Sequence, residues 1–251
     1  MGFRDLKSPD GTVWKHRHIT PDEQQATTAG SPGQRELNAA MPAGAESVIL
    51  VHGLWMRGLV FAPYQYWLER EGFAVYRLTY PSWSGHLEHN ADRLGRFVAN
   101  TPGQRIHLVC HSLGGLVAVM MLGRHPDLRV RRLVLMGTPW ADCHCGRYLA
   151  EHPGLSPFLG RSMKDWLARP RPPVPKSVEI GVIAGTRRWG LGTIIPGLPL
   201  PNDGVVAVAE TLLPEAKDRI LLGVSHSGML LSPLCAEQAA HFLKTGRFIH
   251  A

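Results

Sequence analysis

No uninterrupted apolar stretch in this 251-residue chain is long enough to cross a bilayer. The amino-terminal segment is polar and lacks the apolar core of a signal peptide, and Leu6 stands where a myristoylation site beginning at Gly2 needs Ser or Thr. Nothing in the chain directs export, so a cytoplasmic location is expected, with no stable membrane insertion. Four cysteines are too few to form a disulfide framework in a chain of this size. Cys110 and Cys235 lie in apolar contexts and read as reduced core residues. Cys143-His144-Cys145 offers metal donors, but tetrahedral zinc needs further ligands and no second Cys/His pair stands nearby, so neither a metal nor another cofactor is expected. Acidic side chains are also scarce, 20 against 27 basic ones, which leaves a net charge of +7. Residues 1–45 carry five of each sign, so the excess lies in the later region, scattered over Arg129, Arg131, Arg132, Arg161, Lys164, Arg169, Arg171, Arg187 and Arg188. Aromatic residues are not interleaved with these cations, which argues against a nucleic-acid partner. A solvated surface is the plain reading of the charge; weak association with anionic membrane surfaces or acidic substrates is its lesser implication.

What is present is a single domain's worth of regular pattern. Residues 1–45 are rich in Gly, Pro, Ser, Thr and Gln without sustained periodicity and read as an arm, poorly structured or partly docked. From Ser47 onward short apolar runs alternate with helical periodicity: strands are expected at 48–51, 73–80, 106–110, 130–136, 179–184 and 219–224, and helices at 61–71, 87–99, 113–124 and 233–244. Strand–helix alternation of this kind predicts an α/β domain over 46–251, a mostly parallel sheet with helices on both faces. About forty residues separate the strand ending at Met136 from the one near Ser177, longer than an ordinary connection. This insertion, about 140–176, is expected to form a small cap or lid, with a helix packed on the sheet edge as the alternative.

The chemistry centres on Cys110-His111-Ser112-Leu113-Gly114. A serine between an apolar strand and a helix forms a strained elbow that exposes its hydroxyl, with the helix N-terminus facing developing negative charge. Serine needs a base, and the base needs an orienting acid. His226, in Gly223-Val224-Ser225-His226, follows the last apolar strand, and strand C-termini of an open α/β sheet converge on one edge. His111 adjoins the serine, but side chains diverge at an elbow, and His52 is expected to shape the turn at Gly53. Asp203, in Asn202-Asp203-Gly204, is the leading acid, with Asp142 as its rival. Asp218 falls at the opposite edge. Two backbone N–H groups should hold an oxyanion: that of Leu113, after the nucleophile, and that of Leu54, in the loop after the first strand.

Taken together, His52-Gly53-Leu54-Trp55, Cys110-His111-Ser112-Leu113-Gly114-Gly115, Gly137-Thr138-Pro139, Asp203-Gly204-Val205-Val206 and Ser225-His226, in this order over roughly 47–245, resemble the α/β-hydrolase superfamily in its lipase and esterase branch. The resemblance implies a serine hydrolase without cofactor, with Ser112 as nucleophile, Asp203 as acid and His226 as base, working through an acyl-enzyme. Cys110 stands where the superfamily usually has glycine, and the two leading strands of larger members are missing, which predicts a compact sheet. The apolar stretch from Trp189 to Leu200, with Ile194 and Ile195, is expected to form an acyl-binding wall, and Trp55, Met56 and Leu59 to line the same mouth. Small esters with an apolar acyl group are the expected substrates. A thioesterase or acyltransferase using the same residues, and a non-catalytic binder of apolar molecules, are the alternatives. The sequence does not bear on oligomeric state.

Overall fold

The computed structural model describes residues 46–127 and 129–250; the arm expected over 1–45 lies outside the described residues. Six strands form one sheet: β1 (Ser47–Val51), β2 (Ala74–Leu78), β3 (Ile106–His111), β4 (Val130–Met136), β5 (Glu179–Gly185) and β6 (Asp218–Leu222), in the order β2-β1-β3-β4-β5-β6. Every pairing is parallel. The central strands are buried along their whole length, Ser-Val-Ile-Leu-Val in β1 and Ile-His-Leu-Val-Cys-His in β3. Such continuous apolar runs are what a strand covered on both faces requires.

Among the described residues six α-helices supply the cover: α1 (Ala62–Arg70), α2 (Leu87–Asn100), α3 (Leu113–Arg124), α4 (His144–Glu151), α5 (Arg161–Leu167) and α6 (Pro233–Thr245). Ile49, Val51, Leu108, Cys110, Leu133 and Leu135 share one core with α2 and α3. Val48, Leu50, Val109, Val134 and Ile183 face the other way, into a core with α1 and α6. α2 buries Leu87, Ala91, Leu94 and Val98, a stripe at helical spacing. α3 is apolar all round because it is enclosed all round, with ten of its twelve residues buried. α6 starts where the Ser232 side chain accepts from the Cys235 N–H, with Pro233 at its first position, and stops at Gly246 in the left-handed region (φ 76°).

The expected strands and helices all form, with one change of consequence. The last strand ends at Leu222, so Gly223 to Ser225 form a loop that carries His226 beyond the sheet. The 140–176 insertion also departs from a simple cap. Leu159, Met163 and Trp166 enter the α2–α3 core, and Trp166 packs on Trp140 at a ring distance of 5.4 Å. The physical reason is local: Asp165 accepts from the first N–H of α2, that of Leu87 (2.9 Å), and Ser162 bridges Asn90 and the Gly85 carbonyl. These bonds hold the insertion against the flank of the sheet.

The topology places the reactive edge. β1 leads outward to β2, whereas β3 lies on the other side of β1, so chain direction across the sheet reverses between β1 and β3. Crevices form at such a reversal, beyond the strand C-termini. Val51, Cys110 and Leu135 are in register there, as are Met136 with Ile183 and Gly185 with Leu222.

Candidate active site

Ser112 lies between the last residue of β3 and the first of α3, at φ 53° and ψ −124°. A non-glycine residue in that region is strained by about 1–3 kcal/mol and persists only where its surroundings enforce it. Three contacts do so. The Ser112 N–H donates to the Met136 carbonyl (2.9 Å), and the Ser112 carbonyl accepts from the Gly115 N–H (3.0 Å) and from the Thr138 hydroxyl (3.1 Å). Close packing demands both glycines that follow. A Cβ at Gly114 would stand 2.3 Å from the Val51 carbonyl oxygen, and one at Gly115 would stand 2.2 Å from Thr138 Oγ1. Cys110 is accommodated where glycine was expected, because its side chain enters the α2–α3 core.

His226 follows β6 and is 6 % exposed; Asp203 is 1 % exposed. His226 Nδ1 donates to Asp203 Oδ2 at 2.7 Å, which leaves Nε2 as the ring's acceptor. Three further bonds fix the pair: the His226 N–H donates to the Asp203 carbonyl (2.8 Å), and Asp203 Oδ1 accepts from the N–H groups of Val205 (2.9 Å) and Val206 (2.7 Å). Asp142, the rival acid, is instead ion-paired with Arg147 and caps the Cys143 N–H. Asp218 opens β6 and binds the Phe248 N–H and His250, far along the strand from its C-terminal end.

Gly137 joins the two halves. It directly follows Met136, whose carbonyl holds the Ser112 N–H, and a Cβ on it would lie 3.0 Å from both Asp203 Oδ2 and His226 Nδ1. His111 makes a second link, donating from Nε2 to the His226 carbonyl (2.9 Å), with the two rings 4.6 Å apart. Burial holds the His111 ring well below the ordinary value of 6.5, and the neighbouring His226 lowers it further. It is therefore neutral, with a buried Nδ1 that has no hydrogen-bond partner among the described residues. The positioning role of His111 was missed in the sequence, although a histidine inside an apolar strand signals a buried polar group that must find a partner.

The loop after β1 sits on the N-terminus of α3. A Cβ on Gly53 would be 3.1 Å from both His111 Nδ1 and Ser112 Cβ. His52 shapes this turn, as expected: its Nδ1 bonds the Gly53 carbonyl (2.9 Å), its ring stacks on Tyr80 (4.3 Å), and its own carbonyl accepts from the Tyr80 hydroxyl (2.6 Å). The N–H groups of Leu54 and Leu113 have no acceptor among the described residues. The alpha/beta hydrolase family matches residues 48–214, two thirds of the sequence. The chain belongs to that family. Its fold is similar to that of a lipase from Bacillus licheniformis, BlEst2 in mature form, at 17 % identity and a TM-score of 0.63, covering 81 % of this chain and 93 % of that one. It is also similar to carboxylesterase CesB of Bacillus subtilis (17 %, TM-score 0.51, 82 % and 86 % covered) and to naproxen esterase of the same organism (15 %, TM-score 0.52, 81 % and 85 % covered). No curated protein matches the chain.

The remaining expected residues divide. Trp55 and Met56 line an open cleft beside the β1 loop. Leu59 and Ile194 are exposed and do not line it, and Ile195 packs in a small cluster with Cys145, Leu198 and Ala207. Cys143-His144-Cys145 marks the start of α4, where Cys145 Sγ bonds the Val205 carbonyl (3.0 Å) and His144 Nε2 the Pro196 carbonyl (2.8 Å). Among the described residues no group of three or more His, Cys, Asp or Glu side chains is placed to hold a metal ion, and no helix is long and apolar enough to cross a membrane.

Proposed function

We propose that this α/β hydrolase cleaves carboxylic esters by acyl transfer through Ser112. The observation that carries the reading is the buried 2.7 Å bond from His226 Nδ1 to Asp203, together with a serine held in a strained elbow at the C-terminal end of a central strand of the same sheet. His226 Nε2 takes the Ser112 proton as Oγ attacks the ester carbonyl carbon. The oxyanion is held by the N–H groups of Leu54 and Leu113, whose lack of acceptors among the described residues supports this assignment. As the intermediate collapses, the C–O bond breaks and His226 returns its proton to the departing alcohol. Water, deprotonated by the same nitrogen, then releases the acid and restores Ser112. Asp203 keeps the imidazole in the working tautomer and stabilises its cationic form. Trp55 and Met56, which line the cleft beside the β1 loop, offer apolar surface to an acyl group.

The test is hydrolysis of a p-nitrophenyl ester series of increasing acyl length, with a fluorophosphonate probe as a second readout. The native protein is expected to turn over the shorter members and to be labelled at Ser112. Ser112→Ala should lower kcat by more than about four orders of magnitude and abolish labelling while leaving the circular dichroism spectrum unchanged. Turnover retained in Ser112→Ala overturns the assignment; cleavage of thioesters or amides without any ester turnover overturns the substrate class.

A further inference from the structure

The cleft beside the β1 loop has a volume of about 390 Å³ and a composition that the acyl-binding role does not explain. Two arginines line it, Arg57 and Arg93, and no carboxylate does. Neither guanidinium makes an ion pair or hydrogen bond among the described residues. The acids of α2 are committed elsewhere: Glu88 to Arg124 and Arg169, Asp92 to Arg124 and His125. The same cleft carries two half-exposed indoles, Trp55 and Trp83. Trp55 is held at φ 60°, the only non-glycine residue besides Ser112 with positive φ among the described residues. Such strain is kept where a side chain must be aimed. Trp83 is pinned from the insertion, donating from Nε1 to the Pro157 carbonyl (2.9 Å) and accepting at its own carbonyl from the Arg161 N–H (2.9 Å). Ser82 and Ser84 add hydroxyls to the wall.

We infer that this cleft binds the anionic group, a carboxylate or a phosphate, of a small ester substrate, with Arg57 and Arg93 as its cationic recognition elements. Guanidinium groups suit either anion, because their N–H forks match two oxygens at once. The cleft adjoins the loop that carries the proposed oxyanion donor. Trp55 directly follows Leu54, and Tyr80, which also lines the cleft, donates to the His52 carbonyl at the base of the donor loop. The inference rests on the ester-hydrolase reading and narrows its substrate to esters that combine an apolar acyl or alcohol portion with one anionic group.

Two matched substrate pairs test it: naphthyl butyrate against naphthyl hemisuccinate, which places a carboxylate on the acyl side, and monobutyrin against butyryl-glycerol phosphate, which places a phosphate on the alcohol side. In at least one pair the native protein should favour the anionic member in kcat/KM by about tenfold or more, the equivalent of one well-made charged contact. Raising ionic strength should shrink that ratio, because the screening length falls from about 30 Å at 0.01 M salt to about 3 Å at 1 M. The double variant R57Q/R93Q should lose the preference, and R57K/R93K should keep part of it. Calorimetry of the anionic esters with Ser112→Ala reads binding without turnover. No preference in either pair, or a preference that survives R57Q/R93Q, overturns the inference. Loss of turnover of both members of a pair in native protein would instead overturn the ester-hydrolase reading, and the calorimetric ranking would still decide whether the cleft takes an anion.

Discussion

A histidine that passes protons, the role proposed for His226, must be held at one nitrogen and open at the other. In this chain the holding is redundant: the Asp203 carboxylate takes Nδ1, the Asp203 carbonyl takes the His226 N–H, and His111 takes the His226 carbonyl. Asp203→Asn should therefore leave the ring in place but destroy the tautomer preference, lowering kcat by about 10⁴-fold with little change in KM. Asp142→Asn should leave kcat within a factor of about three, because its partners are Arg147 and the Cys143 N–H. Steady-state kinetics on the two variants separates the acids that the sequence could only rank. Ser112 and His226 were legible because Ser112 follows an apolar strand directly and His226 follows one after a three-residue loop, and strand C-termini of an open α/β sheet converge on one edge. Asp203 was less so: it lies in a long irregular segment after β5, where nothing in local pattern states which way a carboxylate turns. The contribution of Gly137 was invisible for a related reason. Its lack of a side chain matters only because an imidazole comes to rest against it from eighty-nine residues away along the chain.

At the scale of elements, period and punctuation located the strands and helices, since each buries a face that its own residues define. The insertion was harder to read. Its length and apolar residues favoured a cap over a packed flank, and the long-range polar bonds from Asp165 and Ser162 that tie it to the α2 region have no local signature. Trp166, the insertion's own anchor in the α2–α3 core, is fully buried, with the Arg171 guanidinium 4.4 Å over its ring. Trp166→Ala should cost about 3–5 kcal/mol of unfolding free energy by denaturant titration, the usual range for removing a large buried aromatic side chain. A cost below about 1 kcal/mol would mean that the insertion is not part of the folding unit. Glu210 ties the same insertion to the Asp203 loop, accepting from the N–H groups of His144 and Ala207, while Cys145 reaches the Val205 carbonyl. The elements that carry the acid and those that carry the flank are thus stitched together.

Over the whole molecule, burial sets the response to acid. His52, His107 and His111 are all held below the ordinary 6.5, chiefly because their rings are removed from water. Above that pH they are neutral both folded and unfolded and do not bear on stability. As pH falls below 6.5 the unfolded chain takes up protons that the folded chain refuses, so stability declines until pH passes the lower folded values. Glu210 works in the opposite sense, since burial raises its carboxyl. The carboxylates held low, Glu46, Asp92, Glu179 and Asp218, add their losses only as pH nears the ordinary carboxylate range and below. Three histidines against one glutamate predict a Tm that drops between about pH 7.5 and about pH 5.5, and a shallower drop for His111→Gln, both read by scanning calorimetry.

The sulfur chemistry of the chain points in a practical direction. Cys110, Cys143, Cys145 and Cys235 are all buried, and desolvation pushes their thiols up, those of Cys143 and Cys145 to about 12 and that of Cys235 to about 11. Thiolate is the species that maleimides attack, so the native fold is a silent background for dye attachment. One new cysteine at exposed Leu59 or Ile194 would therefore carry a fluorophore alone.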